Sequence, residues 1–252
     1  MKALLIIMST FLCLHQSQAQ KQIQETFTWE SGQQINIDFD YPELIKVQVW
    51  ERNEVLVKGS ININFGENDE AFKLSSSKSK NELSINGSIE NYKQLPKAIT
   101  IVHKGEKYIF KSSSYNSPEI QKFKEENGIK SVEMYAQGVH NEIVLEVFVP
   151  RNAELQINST YGIIEIFNHQ GPLQASSKYG AVDLSLAANS KINILASTRY
   201  GEVYTNLDVK FNPSSKEGLV KWNDVSCVIN GGGKELQLAS TYGNVYMRKL
   251  KD

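Results

Sequence analysis

Charged side chains recur beside an aromatic residue in the C-terminal half of this chain. The cations Lys178, Arg199 and Lys221 stand directly before the aromatic, and the acids Asp183, Glu202 and Asp224 follow it. Stacked repeats would bring them into an exposed row of alternating sign, which could bind a glycan or a protein or, as acid and base, cleave a polysaccharide. Solubility alone also explains such charges, since exposed pairs contribute only about 0 to 1 kcal/mol each. We expect a binding surface, to which the outward aromatics Tyr204 and Tyr246 contribute.

Other chemistry-bearing residues lack the spacing that a catalytic or metal site needs. His103, His140 and His169 lie far apart, without His-x-His or Glu-x-x-His spacing. The triple glycine at 231–233 precedes a predicted strand rather than a helix, which favours a turn over a phosphate cradle. The sequence contains no Gly-x-Ser-x-Gly elbow, phosphate-binding loop or dinucleotide fingerprint. It therefore predicts no catalytic residue, no metal site, no cofactor and no enzyme activity.

A four-residue motif, Ser/Thr-x-Tyr-Gly, recurs in this half of the chain. Its four clear copies begin at Ser159, Ser177, Thr198 and Ser240. The last interval is twice the one before it, which predicts a further copy near residue 221. The predicted repeat residues are Tyr161, Gly162, Tyr179, Gly180, Tyr200, Gly201, Trp222, Asn223, Tyr242 and Gly243. We expect the glycines, and Asn223 in their place, to adopt positive φ at a tight corner.

Apolar columns flank each motif. Three residues after the aromatic come Ile164, Val182, Val203, Val225 and Val245, and six before it come Leu155, Leu173, Ile194, Lys216 and Leu236. Each unit is predicted to be a strand, a corner and a second strand, and equal positions align when units stack. Alternation extended through the corner places Thr160, Lys178 and Thr241 outside and the aromatics on the side of the apolar column. We therefore expect the aromatics to form an internal or a corner ladder. The prediction is an all-β, single-stranded β-helix-like solenoid with rungs of about 20 residues, with a β-sandwich as the alternative.

The region before these repeats, residues 20–150, alternates in strand fashion without keeping the period. Turns at 51–54 and 80–81 predict β-hairpins. Residues 104–140 form a Lys- and Ser-rich insert, in which Ser117-Pro118 starts one short helix that ends at Gly128. The repeats then occupy residues 151–252.

The N-terminus predicts export. Residues 3–14 are almost entirely apolar, Lys2 precedes them, and Ser17-Gln18-Ala19 is a small-x-small cleavage pattern. Cleavage after Ala19 makes residues 1–19 a signal peptide, and no later segment is apolar enough to span a membrane. Only Cys227 then remains, so no internal disulfide is expected. A formal net charge of −1 argues against a nucleic-acid partner.

Three segments together resemble a known family. They are the residues 46–51 (KVQVWE), the residues 147–155 (VFVPRNAEL) and the recurring Ser/Thr-x-Tyr-Gly-x-Val. In them the chain is similar to exported bacterial β-strand-repeat proteins named "putative adhesin", a domain of unknown function. The resemblance covers most of residues 20–252 and implies a β-helix-like architecture and an envelope location. It supplies no catalytic residues.

These observations predict an exported binding or structural module of the cell envelope, adhesin-like and without enzyme activity, either in the periplasm or at the cell surface. Its expected partner is an envelope protein or a glycan, and the open edge of a terminal rung favours self-association. Two other functions stay open. One is a periplasmic accessory of an envelope-signalling system, and the other is a polysaccharide-active β-helix enzyme.

Overall fold

A computed structural model describes residues 20–210, 212–214 and 223–250. The predicted signal peptide, Lys221 and Trp222 lie outside the described residues. Within these ranges no helix has the length and hydrophobicity that a membrane crossing requires.

The described chain forms twenty strands and one α-helix. The strands before the helix are β1 (Lys21–Thr28), β2 (Gln34–Phe39), β3 (Leu44–Trp50), β4 (Glu54–Ile63), β5 (Phe72–Lys78), β6 (Glu82–Ile89), β7 (Ala98–His103) and β8 (Glu106–Phe110). After the helix α1 (Pro118–Glu126) come β9 (Met134–Gly138), β10 (Asn141–Pro150), β11 (Leu155–Ser159), β12 (Ile163–Phe167), β13 (Leu173–Ser177) and β14 (Val182–Leu186). The last strands are β15 (Ile192–Thr198), β16 (Val203–Thr205), β17 (Asn212–Ser214), β18 (Asn223–Ile229), β19 (Lys234–Ser240) and β20 (Val245–Lys249). Short 3-10 helices span Asp69–Ala71 and Tyr92–Gln94.

Two large sheets share one hydrophobic core. Sheet A has the strand order β1-β4-β10-β3-β12-β14-β20-β16, and sheet B has the order β17-β18-β15-β19-β13-β11-β2-β6-β5. Alternate residues of both sheets, such as Ile35 and Ile37 of β2 and Ile45 and Val47 of β3, are fully buried in a single cluster. The prediction of an all-β protein is confirmed.

The repeat units stack in parallel and in register, each with one strand in sheet B, a corner, and one strand in sheet A. We call such a unit a rung. In sheet B, Leu155 lies opposite Leu173, Leu173 opposite Leu236, and Leu236 opposite Ile194. In sheet A, Ile164 lies opposite Val182, Val182 opposite Val245, and Val245 opposite Val203. The predicted columns are therefore confirmed for these four copies.

The order of the rungs in space differs from their order in the chain. The rung of Tyr242, made of β19 and β20, lies between the rung of Tyr179 and the rung of Tyr200. A regular single-stranded solenoid, in which each turn follows the previous one, does not have this order. The interleaving changes which side chains become neighbours on the surface.

The copy predicted around Trp222 and Asn223 does not form a stacked rung. Its described part, β18, runs antiparallel to β15, with Val225 opposite Ala196 and Cys227 opposite Ile194. The prediction of a fifth parallel rung is therefore wrong, because an antiparallel strand cannot align its columns with the parallel ones. Cys227 is buried without a disulfide partner among the described residues, and burial raises the pKa of its thiol.

The N-terminal region contains a rung that the sequence analysis missed. β2 pairs in parallel with β11, and β3 pairs in parallel with β12, so that residues 39–42 form a corner beside the first Tyr-Gly corner. The hairpin predicted at 51–54 is wrong, because β10 lies between β3 and β4 and places Val147 opposite both Val47 and Val57. The hairpin predicted at 80–81 is confirmed in the antiparallel pair of β5 and β6.

A small sheet with the order β8-β7-β9 carries the predicted helix. The helix starts at Pro118, and Gly128 follows it with φ +64°. Ile99, Ile101, Phe110 and Ile120 form a second hydrophobic cluster beneath it. This region therefore packs around a core of its own, and its first strand begins before residue 104.

The rung order can be tested with two pairs of cysteines in place of exposed residues of sheet B. Gln174 lies directly opposite Gln237, whereas Gln174 and Leu195 are two strands apart, about 10 Å. Oxidation of Gln174→Cys/Gln237→Cys is expected to give a disulfide that peptide mapping detects, since a disulfide needs a Cα separation of roughly 4.4 to 6.8 Å. Gln174→Cys/Leu195→Cys is the matched control and should stay reduced. A disulfide in the control pair alone would show that the rungs stack in chain order.

Candidate functional site

Six tyrosines stack in one continuous row, five at the corners between the two sheets and Tyr92 in the 3-10 helix Tyr92–Gln94. We call this row the tyrosine ladder; its order is Tyr92, Tyr41, Tyr161, Tyr179, Tyr242, Tyr200. The ring centroids of successive neighbours are 4.3, 5.8, 5.2, 5.0 and 4.9 Å apart, with interplanar angles of 10 to 18°. The predicted alignment of tyrosine over tyrosine is confirmed, and Tyr41 and Tyr92 extend it beyond the repeats.

The ladder is on the surface. Tyr161, Tyr179, Tyr242 and Tyr200 are 54, 45, 50 and 58% exposed. Of the two predicted positions for the aromatics, the internal one is therefore wrong, and the corner position is the one that the structure has. Period-two alternation holds only within a strand, and the corner residues between β13 and β14 belong to neither strand. The last residue of the first strand points inward instead, as Ser177 and Thr198 show by their complete burial.

Buried hydroxyl groups hold each corner and join it to the next rung. The Ser177 Oγ accepts a hydrogen bond from the Gly180 N–H at 2.9 Å and donates one to the Gly162 carbonyl of the adjacent rung, also at 2.9 Å. Ser240 repeats both contacts at 2.8 Å, with the Gly243 N–H and the Gly180 carbonyl. The same hydroxyl therefore provides a hydrogen-bond partner for a backbone N–H in its own rung and for a backbone carbonyl in the adjacent rung.

The end of this series uses other residues for the same contacts. Thr198 accepts from the Gly201 N–H at 3.1 Å and donates to the Gly243 carbonyl at 2.8 Å. The Asn223 side-chain amide then donates to the Gly201 carbonyl at 2.9 Å. Asn223 thus supplies the donor that a serine or threonine hydroxyl supplies in the other rungs. It does so although its own strand, β18, does not form a stacked rung.

The motif glycines are required because adjacent corner backbones approach closely. None of Gly162, Gly180, Gly201 and Gly243 has a positive φ, so the predicted left-handed corner is wrong. An added Cβ at Gly180 would lie 2.0 Å from the Gly162 carbonyl oxygen, and one at Gly243 would lie 2.2 Å from the Gly180 carbonyl oxygen. No side chain fits at these distances, and the constraint passes from each rung to the next.

The predicted row of alternating charge does not form, because the acids do not lie in line with the cations. Thr241 belongs to the rung between those of Lys178 and Arg199, which are consequently two rungs apart. Asp183 lies on sheet A, where the Arg248 Nε donates to its two oxygens at 2.7 and 3.0 Å. Glu202 is exposed beside the last corner, and Asp224 lies on β18 opposite Ser197. Interleaving of the rungs separates the charges that alternate along the chain.

The two cations contact the ladder itself. The Lys178 Nζ lies 5.2 Å from the Tyr179 ring centroid, and the Arg199 guanidinium carbon lies 5.3 Å from that of Tyr200. Neither is within ion-pair distance of an acid among the described residues. The Arg199 Nε is buried without a hydrogen-bond partner in the described part of the chain. The ladder therefore carries two cations on alternate rungs, and Glu202 is exposed beside the last corner.

Tyr204 and Tyr246 form a separate, shorter stack on the outer face of sheet A. Their centroids are 5.4 Å apart, and the Arg248 guanidinium lies over Tyr246 at 4.8 Å. Register places Asp183 beside Tyr246 and Tyr246 beside Tyr204. The predicted outward aromatics thus lie together, although not on the tyrosine ladder.

The histidines are distributed over different parts of the fold. His169 is 2% exposed, and burial lowers its pKa to about 4. His140 is also buried and packs against Phe65, and burial lowers its pKa. Within the described ranges, no three side chains of His, Cys, Asp or Glu are grouped as metal ligands.

An open groove of about 430 Å³ lies at the opposite end of the rungs from the ladder. Trp29 and Trp50 line it, and their indole N–H groups donate to the carbonyls of Gln33 and Glu54, both at 2.9 Å. Both arginines there are paired with acids, since Arg151 lies 2.6 Å from Glu51 and Arg52 lies 3.4 Å from Glu54. The sequence did not predict this groove, and the local signal for it is a tryptophan at or just after the end of a strand.

Gly180→Ala is expected to destabilise the protein by roughly 3 kcal/mol, because the new methyl group overlaps the Gly162 carbonyl. Gly138→Ala is the matched control, since a Cβ there meets nothing within 4 Å, and it should change stability by less than about 0.5 kcal/mol. Denaturant unfolding of both variants measures the difference. Equal stability of the two variants would contradict the close approach of the corners.

Ser177→Ala should cost about 2 kcal/mol, because it leaves the buried Gly180 N–H and Gly162 carbonyl without their partner. Ser176→Ala, at the exposed neighbouring position, should change stability by less than about 0.5 kcal/mol. The same unfolding measurement compares them. Equal stability of the Ser177 and Ser176 variants would contradict a stabilising role for the Ser177 hydroxyl between the two rungs.

Comparison with known proteins finds weak structural similarity only. No family model matches the chain, and no curated protein matches it. A crystal structure of a putative cell adhesion protein from Clostridium sporogenes is 12% identical with a TM-score of 0.49, over 91% of this chain and all of that one. A putative adhesin from Bacteroides fragilis is 10% identical with a TM-score of 0.22, over 91% of this chain and 97% of that one.

Proposed function

We propose that this protein is an exported, non-enzymatic binding or structural module of the cell envelope, adhesin-like in its role. The tyrosine ladder is the surface that contacts its partner. The signal-like residues 1–19 support export. The stacked rungs form a solenoid-like framework that holds the ladder at the surface, which is consistent with a binding or structural module.

The observation that carries this proposal is the contiguous exposure of large aromatic side chains. Four neighbouring tyrosines are each about half exposed, and all of them lie along one line. Contiguous exposed apolar area of this kind marks interaction sites, and tyrosine is enriched where proteins bind their partners.

The ladder is also pre-organised for binding. Each inner ring is held between two neighbours, and the backbone N–H of each repeat tyrosine donates to the carbonyl of the residue before the tyrosine of the adjacent rung. Examples are the Tyr179 N–H to the Thr160 carbonyl at 2.9 Å and the Tyr242 N–H to the Lys178 carbonyl at 2.9 Å. Binding therefore immobilises few additional rotamers, and less of the interaction free energy is lost to ordering.

The first test compares two double variants of residues 20–252 in sedimentation with isolated envelopes of the producing cell. Tyr179→Ser/Tyr242→Ser interrupts the ladder, and Tyr135→Ser/Tyr204→Ser removes two tyrosines of similar exposure elsewhere. We expect the ladder variant to lose about tenfold or more in affinity, because two central contacts are removed, and the control to bind like the unaltered protein. Unfolding midpoints of both variants identify any loss of folding.

Two results would contradict the proposal. If the unaltered protein stays in the supernatant, it has no envelope partner. If the control loses as much binding as the ladder variant, the contact surface is elsewhere. Protease treatment of intact cells separates the remaining alternatives, since digestion places the protein at the surface and protection until the outer membrane is opened favours a periplasmic accessory.

A further inference from the structure

We infer that the tyrosine ladder binds a linear polysaccharide that carries carboxylate groups, with the sugar chain running along the ladder and across the strands. This inference rests on the proposed function, because it takes the ladder as the contact surface. It adds the chemical class of the ligand and the direction in which the ligand lies.

The ladder repeats one set of contacts per rung. From Tyr161 to Tyr200, the ring centroids follow each other at 5.2, 5.0 and 4.9 Å, close to the spacing of the strands themselves. A pyranose unit in an extended chain is about as long as this step. A linear polysaccharide can therefore place successive sugars over successive phenols, whereas a small ligand would use only one or two of them.

The stacking decides which part of each ring a ligand can reach. The faces of Tyr161, Tyr179 and Tyr242 are covered by their neighbours, so a sugar cannot stack on them. The ring edges and the phenolic hydroxyls remain accessible. The edge of an aromatic ring is the positive part of its quadrupole, and the hydroxyl both donates and accepts hydrogen bonds. This combination favours a ligand with many hydroxyls and anionic oxygens.

The position of the cations supplies the charge complementarity. Lys178 and Arg199 lie beside the rings of Tyr179 and Tyr200, and the uncharged Thr241 occupies the rung between them. Neither cation has an ionic partner among the described residues, and the Arg199 Nε is a buried donor without an acceptor there. A carboxylate on every second sugar would reach both cations at once.

Other linear polyanions fit this surface less well. An extended polypeptide advances about 3.3 Å per residue, so only every third residue of an acidic peptide would coincide with every second phenol, and the phenols between them would have no matching residue. A double-stranded nucleic acid needs a broad basic patch, and the row Asp40, Thr160, Lys178, Thr241, Arg199 contains only two cations. The ladder therefore favours sugars over both alternatives.

The experiment measures binding of residues 20–252 to immobilised hyaluronan, which has one carboxylate in every second sugar. Its methyl ester is the uncharged control with the same backbone, and poly-glutamate is the acidic control without sugars. We expect hyaluronan to bind, and we expect the affinity of each control to be lower by about tenfold or more. Added salt should weaken the binding to hyaluronan, because the Lys178 ammonium is exposed to solvent.

Two pairs of protein variants locate the site. Lys178→Gln/Arg199→Gln removes both ladder cations and should weaken binding about tenfold. Lys80→Gln/Lys191→Gln removes two exposed lysines at the opposite end of the rungs and should leave binding unchanged. Tyr179→Phe/Tyr242→Phe keeps the stacked rings while removing two hydroxyls, and it should weaken binding several-fold at an unchanged unfolding midpoint.

The inference is overturned if hyaluronan does not bind, if its methyl ester or poly-glutamate binds as tightly, or if the ladder variants bind like the Lys80/Lys191 control. Ladder-dependent sedimentation with envelopes would then still support the proposed function, with a ligand of another class. Loss of both kinds of binding would overturn the proposed function as well.

Discussion

The close approach of neighbouring corner backbones is the constraint on which the rest of this structure depends. Glycine leaves room for the carbonyl of the adjacent rung, and the buried hydroxyl of the motif links that carbonyl to the next turn. Because the hydroxyls of Ser177, Ser240 and Thr198 each contact two rungs, the corners from Tyr161 to Tyr200 stay in phase. The tyrosine between hydroxyl and glycine is then displayed at a fixed interval, and a continuous aromatic surface follows from a contact buried beneath it.

The interleaved rung order gives the protein a second property. The rung of Tyr200 pairs with the rung of Tyr242, which comes later in the chain, so its place in the sheets depends on the C-terminal strands. Such long-range pairing is typical of slowly folding β proteins. It also brings Lys178, Thr241 and Arg199 into one surface row and leaves Asp183 to pair with Arg248. The surface chemistry of the ladder is therefore set by topology as much as by the motif.

The sequence predicted what depends on local pattern. The aliphatic columns at Leu155, Leu173 and Leu236 and the helix at Pro118 follow from periodicity and capping residues, and the structure confirms them. Rung order could not be predicted, because the copies are too similar for any of them to specify its neighbour. The outward side of the tyrosines was missed because alternation ends at a corner. The N-terminal rung was missed because Phe39 and Pro42 replace Ser and Gly, and only Tyr41, two residues after a strand, marks it.

Hydroxyl-radical footprinting of tyrosine side chains, with and without envelopes of the producing cell, tests most directly that the ladder is a contact surface. Radical modification reports the solvent exposure of each ring separately, and all the relevant tyrosines are exposed in the free protein. We predict that modification of Tyr161, Tyr179, Tyr242 and Tyr200 decreases together in the presence of envelopes, while modification of Tyr135 and Tyr204 is unchanged. Unchanged modification of the ladder, or protection only of Tyr204 on the face of sheet A, would contradict the account.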